Sequence, residues 1–391
     1  MVVRSTSEQS PGINLEIEYL RAVAVLLVLF AHAAVLFPDL EIGQWTGVDL
    51  FFCISGYVIS RSFEQSFNRA IEDGRWYSAA LAFWVRRLFR LTPSAWLWLA
   101  INVFGSWAYN SSGSFLGTFE QNVNDALFFL GFVTNFALAS GAMHSNRFFW
   151  SLTLEDQFYL MYPFFLLLVR QHWRWGVLLL LILLQTIPDR SLHGAEIPNY
   201  FWVTRLDALM WGCLIYLFSR SQACKRFEPK ILRFRTLAFA VSAALIFCLI
   251  EIPNETFQSY LGDRLESQIA LVCAGLVFLA SFDRGYALPL PGLLKDVFEW
   301  IGSRSFAIYL IHIPLFGYLR ETWSRFSYLL GEHPPDKRYF YAIAFPLLLV
   351  LLAELNFRLL ETPLRRKGKT LALRILDRPA GSASPAFGTG K

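Results

Sequence analysis

The chain has 391 residues, 55% of them hydrophobic and only 17% charged, against about 25% charged in an ordinary soluble domain. With a mean hydropathy of +0.41 and a net charge of +5 gathered into a few loops, the composition excludes a soluble globular protein, and the basic residues speak to orientation in a bilayer rather than to nucleic acid. The five cysteines are scattered without a CxxC pair, so neither a disulfide framework nor a structural zinc site is expected.

In chain order, residues 1–14 read as a polar arm. The first apolar segment, 19–37, carries Arg21 and His32, which a disposable leader has no reason to hold, so no cleavable signal peptide is expected. The loop 38–44 has Asp39 and Glu41 and no Lys or Arg. A second apolar segment, 45–60, has Asp49 near its start. The stretch 61–92 is basic and ends in an aromatic, amphipathic run over 83–93 that contains Arg86, Arg87 and Arg90. It reads as an interfacial helix feeding a segment at 93–109. Further apolar segments lie at 125–143, 150–170, 175–187, 200–218, 236–252, 266–282, 300–319 and 339–360. The loop 219–235 is basic, and Arg365, Arg366, Lys367 and Lys369 form a C-terminal cluster. The tail from Pro379 is rich in Ala, Gly, Ser and Pro and is expected to be disordered, with 367–391 as a cytoplasmic tail. No internal repeat is visible.

The positive-inside rule tests the eleven segments. It places 38–44 outside and both 61–92 and 219–235 inside, so an even number of crossings must separate the two basic loops. Five candidates lie between them, so one does not span. The segment 125–143, with Asp125, Thr134 and Asn135 inside it, fits a re-entrant or surface-lying element, because non-helical backbone at that depth needs protein or water around it. The expectation is an all-α, polytopic transmembrane helix bundle of about ten spans over 15–366, with both termini cytoplasmic.

Ionisable groups within spans are costly and mark functional sites by default. The topology puts Arg21 at the inner end of the first span and His32 about 16 Å further out, at about 1.5 Å per residue. Asp49, Glu155, Asp156, Arg205, Asp207 and His312 fall at the outer level with His32. Each has a plainer reading. Arg205 and Asp207 suit a structural ion pair, whose spacing is not i,i+4 and so leaves room for partners on other helices, Asp49 suits a helix start, and the three arginines suit positive-inside anchoring.

Taken in order, these residues resemble the acyltransferase-3 family of membrane acyltransferases. The resemblance rests on the Arg21-to-His32 spacing, GVDLFFCISGY at 47–57, RRLFRLTP at 86–93, FWSLTLEDQFY at 149–159, TRLDA at 204–208, SFAIYLIHIP at 305–314 and ETP at 361–363. Asp156 and Phe306 depart from the family's commoner Glu and Tyr. Together the motifs cover about 13 to 366. Some members carry a fused extracytoplasmic hydrolase-like domain; with only about 30 residues after Leu360, none is expected here. The resemblance implies O-acylation of an envelope glycan, a lipopolysaccharide or a lipid-linked sugar in a bacterial inner membrane, with acetyl-CoA or another acyl-CoA, succinyl included, as donor. No metal and no nucleic-acid partner are expected; membrane lipids are.

Acyl transfer from a thioester to an alcohol needs a base, oxyanion donors and a positioned thioester. His32 is the expected base, with Glu155 or Asp49 orienting its ring; a covalent acyl-histidine stays open. Arg86, Arg87 and Arg90 are expected to hold the CoA phosphates. Arg21 would line the path to His32, and Ser151, Arg205, Asp207 and His312 are supporting candidates. The alternative is a proton-coupled membrane transporter, against which stands the lack of a pseudo-repeat.

Overall fold

A computed structural model describes residues 14–33, 36, 45–110, 115–188, 190, 199–254, 260, 262–330 and 336–377. Most of the N-terminal arm, the acidic loop 38–44 and the tail beyond 377 lie outside the described residues. Those described are helical, with no strand among them. The helices are α1 (Leu15–Ala33), α2 (Gly47–Glu72), α3 (Trp76–Ala108), α4 (Phe119–Leu130), α5 (Thr134–Ala139), α6 (Trp150–Leu168), α7 (Arg174–Leu184), α8 (Asp207–Ser219), α9 (Arg235–Glu251), α10 (Leu265–Ser281), α11 (Gly292–Ser303), α12 (Ser305–Phe326), α13 (Lys337–Asn356) and α14 (Thr362–Leu376).

The apolar segments form helices, but several boundaries differ from those that hydropathy gives. The amphipathic run and the segment at 93–109 form one continuous helix, α3, which passes through Pro93. The segment 125–143 is two short helices, broken at 131–133, where Phe132 takes a left-handed φ of 56°. The segment 200–218 is a single turn, Tyr200–Val203, followed by α8. The tail expected to begin at 367 is helical to Leu376, because α14 continues α13 through a π-helical turn, Phe357–Glu361. Two helical stretches, Tyr200–Ser219 and Lys337–Leu376, are long and apolar enough to cross a membrane; a third qualifies if Arg147–Leu168 and Gln171–Leu184, bent by 118°, count as one span.

Helix α2 is central, packing on α1, α3, α6, α8 and α10. Its approach to α8 is backbone on backbone. A Cβ on Gly56 would overlap the Leu209 carbonyl, and one on Gly212 would overlap the Cys53 carbonyl. Small residues bring helices close where apolar burial alone provides little drive. Helix α12 lies against α1 and α13, and α14, continuing α13, lies along α3. At the other side, the buried Asp125 carboxylate accepts the backbone N–H groups of His144, Ser145 and Asn146 at 2.8–3.2 Å. That contact ties the broken 119–139 region to the start of α6 and satisfies backbone donors that have no helix to serve.

Candidate active site

Helices α1, α2, α3, α6, α11, α12 and α14, with the turn before α14, surround a cavity of about 390 Å³. Its lining is graded. At one end stand Arg21, Arg87, Arg90 and Arg365 with Glu18, Glu155, Glu299 and Glu361; at the other, Val48, Phe51, Phe52, Leu152, Ser151 and Tyr309. Helical spacing sets this order. Val48, Phe51, Ser55 and Val58 recur every three or four residues on one face of α2. Arg87 and Arg90 are likewise three apart on α3. Arg21 is held by Glu18 at 2.6 Å. Arg87 lies over the rings of Phe83 and Tyr159 at 5.6 and 5.3 Å, and Tyr159 donates its hydroxyl to Glu155. Glu361 accepts from Asn356 at 2.7 Å, which is itself fixed by Trp98 at 3.2 Å.

The apolar end is closed by a hydrogen-bonded knot. Tyr309 Oη donates to the Phe148 carbonyl at 3.0 Å and meets Ser151 Oγ at 2.7 Å. One turn further along α12 sits His312, its ring 5.6 Å from that of Tyr309. Against it, from α1, lies His32, with ring centroids 5.1 Å apart. His32 Nδ1 is 2.9 Å from the Val28 carbonyl, and His312 Nδ1 is 2.6 Å from the Tyr309 carbonyl. A carbonyl only accepts, so both Nδ1 atoms carry the hydrogen and both Nε2 atoms present a lone pair. That is the tautomer a proton acceptor at Nε2 requires.

Three sequence expectations are corrected here. Among the described residues no carboxylate bonds to His32, whose ring is set by the Val28 carbonyl. Asp49 instead forms a two-pronged pair with Arg205 at 3.0 and 3.1 Å, fully buried on both sides, and the guanidinium lies 3.8–4.9 Å from the rings of Trp202, Trp45 and Trp150. Arg205 and Asp207 do sit in structural ion pairs, each with a partner from another segment, as their spacing of two allows: Asp207 is paired with Arg190 at 3.0 Å. Glu155 stands with the arginines rather than level with His32, because α6 runs from Ser151 beside Tyr309 towards Tyr159 beside Arg87. Arg86 does not line the cavity, although Arg87 and Arg90 do.

The structure also adds residues to which the sequence assigns no part in the site. Arg365 reads in sequence as one more member of the basic terminal cluster. Glu18 is findable as the i−3 neighbour of Arg21. Tyr309 and Glu361 lie inside the family motifs without a role of their own, and Asn356 has no local signal at all.

The sequence matches the family model described as an acyltransferase domain over residues 14–354. It is similar to O-acetyltransferase OatA of Staphylococcus aureus strain NCTC 8325 / PS 47, 26% identical over 369 residues that make up 89% of this chain and 57% of that one. It is also similar to chains of S. aureus strains COL and N315 named only as candidate O-acetyltransferases, 27% identical over 372 residues with the same coverage. The chain therefore spans little more than half the length of the curated relatives it matches. No solved structure matches it. With an all-helical body, an arginine-lined cavity leading to a histidine pair, and a family match that runs through nearly all of the described helices, this chain belongs to the acyltransferase-3 family.

Proposed function

We propose that the chain is a membrane O-acyltransferase that moves an acetyl or other short acyl group from cytoplasmic acyl-CoA to a hydroxyl of an envelope glycan or glycolipid at the opposite face of the bacterial inner membrane. In this reading it forms about ten spans with both termini cytoplasmic, since the basic 61–92, 219–235 and 365–369 stretches then share a side. The observation that carries it is the polarity of the cavity. Arginines crowd one end, and a histidine with a bare Nε2 lies past the other.

The cationic end suits the phosphates of CoA, for which arginine offers a two-pronged, permanently charged donor. Arg87, Arg90 and Arg365 are the assigned contacts, and Arg21 sits at the start of the path inward. The apolar end, lined by Val48, Phe51, Phe52 and Leu152, suits the pantetheine arm and a short acyl chain. From Arg21 to His32 the rise along α1 is about 16 Å, so donor head and reacting thioester occupy different levels. For the thioester to meet His32, the Tyr309–Ser151 knot must open or shift, and its hydroxyls are then placed to steady the developing oxyanion. His32 Nε2 takes the acceptor's hydroxyl proton, the alkoxide oxygen attacks the thioester carbonyl carbon, the C–S bond breaks, and the proton passes to the departing thiolate. The printed names of the relatives favour acetyl as the acyl group and a hydroxyl as the acceptor.

The test is release of free CoA thiol by purified protein in lipid, with acetyl-CoA as donor and pooled envelope glycans as acceptors. Glycan-dependent release that is lost in His32→Ala supports the reading. Release with succinyl-CoA alone changes the donor. No release with any acyl-CoA, from folded protein and glycans of several sources, moves the transporter reading ahead.

A further inference from the structure

We propose that His32 and His312 work as one proton-holding pair, in which His312 Nε2 receives the hydrogen that His32 acquires from the acceptor hydroxyl. This inference rests on the acyl-transfer reading and adds to it a role for His312 that the cavity alone does not suggest.

Each Nδ1 donates to a carbonyl within its own helix, Val28 for His32 and Tyr309 for His312. Each Nε2 is therefore an acceptor with no hydrogen of its own. His312 is completely buried, and its Nε2 has no hydrogen-bond partner among the described residues. A buried acceptor left unsatisfied is costly, so it calls for an explanation. Its surroundings supply none: the rings against it are those of Tyr309, Phe148 and Phe316, and no carboxylate or guanidinium bonds to either imidazole among the described residues.

The neighbour that does answer is His32. Two bare lone pairs cannot bond to each other, so the empty Nε2 is what the resting state requires. Once one hydrogen arrives, the mismatch turns into a donor–acceptor pair. An in-line N–H···N bond spans about 3 Å between nitrogens plus about 1 Å from each to its ring centre, about 5 Å in all. The two centroids are 5.1 Å apart, with the planes at 62°, a separation that such a bond can span without movement of the helices. Beside the fully buried His312, a charge-assisted bond of this kind stabilises the imidazolium more than it would in solvent. The proton is conserved within the reaction: the O–H bond of the acceptor breaks as N–H forms on His32, the proton is shared with His312 while C–S breaks, and it ends on the CoA sulfur.

Two measurements test this on the full chain in lipid nanodiscs. The first needs no turnover. Nitrogen NMR of ¹⁵N-histidine protein, assigned with His32→Ala and His312→Asn, should show Nδ1–H on both rings at neutral pH. On acidification the two rings should take up one proton between them, with their signals moving together. Independent titration of the two rings, or a hydrogen already on His312 Nε2 at neutral pH, would overturn the proposal. The second uses acetyl-CoA and pooled envelope glycans. His312→Asn keeps an amide N–H near the Nδ1 position and lacks Nε2. It should lower kcat at least tenfold and leave acetyl-CoA affinity and Tm near wild type. The proton inventory in H₂O/D₂O mixtures should change from curved to linear. His312→Gln, which puts an amide near the Nε2 position, should recover part of the rate. Unchanged kcat in His312→Asn would sink the pair, as would a loss that follows Tm alone. Wild-type protein without glycan-dependent thiol release would instead defeat the acyl-transfer reading, and the one-proton titration would still decide whether the pair exists.

Discussion

Two charged regions of this protein are built for opposite purposes. Around Arg205 the main charges are committed to one another, although the Glu266 carboxylate close to them has no hydrogen-bond partner among the described residues. Asp49 meets Arg205 with two oxygens, three tryptophan rings surround it, and Arg190 takes Asp207 close by. Around Arg87 and Arg90, guanidinium groups face a cavity with their carboxylates spread around the wall. Residue type and depth do not separate the two cases. What separates them is whether the charge is satisfied by the protein or left directed at empty space. A buried pair without a cavity organises helices; a buried charge beside a cavity is free to meet a ligand.

Substitutions sharpen that contrast. The largest effect is expected at the far end of the cavity, where His32→Ala should lower thiol release by about 10²–10⁴-fold with acetyl-CoA still bound, as measured by calorimetry. Retained turnover would remove the base from the scheme. Next comes Arg205→Ala, which leaves the Asp49 carboxylate buried and alone and should destabilise the fold by about 3–5 kcal/mol, read as a lower Tm and yield. The combined Asp49→Leu and Arg205→Met replacement should recover much of that loss, since an apolar substitute for both partners is often neutral. A stable Arg205→Ala that cannot bind acetyl-CoA would reverse the assignment of this region.

Smaller changes are expected at the cavity rim. Arg87→Ala, Arg90→Ala and Arg365→Ala should each weaken acetyl-CoA binding by roughly tenfold to a hundredfold, the worth of a charge-assisted hydrogen bond of about 1.5–3 kcal/mol, with Tm little altered. Three unchanged dissociation constants would sink the donor-site assignment. The smallest effect belongs to Arg86→Ala. Its side chain does not line the cavity, so donor affinity should stay within about threefold, the scale of a surface charge. An Arg86 effect equal to that of Arg87 would mean that the motif acts as a whole and not through the face that the helix presents.

Much of the site is legible in the sequence. Arg21, Arg87, Arg90, Ser151 and Glu155 do converge on one cavity, and His32 and His312 do come together. The errors share a cause. Depth along the membrane normal puts Asp49 level with His32, yet depth carries no angular information. The partners of Arg205 and Asp207 lie 156 and 17 residues away, which local spacing allows but does not name. Glu155 falls at the other end of the cavity from His32, because a span's orientation does not say which of its turns faces which neighbour. In the fold, Pro93 suggests a division of α3, although packing carries the helix through it. The charged residues after 366 suggest a tail, although they belong to α14 and lie against α3 at a contact hydropathy cannot see.

The sequence by itself determined the helical character, since long apolar runs leave backbone groups no other way to be satisfied in lipid. It also determined the family, through motifs in a fixed order, and the list of residues able to do acid–base and anion-binding chemistry. Tertiary structure alone decided which of those residues are committed to one another and which face a cavity. Pairing is a matter of rotation about helix axes and of contacts between segments far apart in the chain. Local spacing therefore gives the candidates, and only packing, down to glycines such as Gly56 and Gly212 that let two backbones touch, sets which side chains meet.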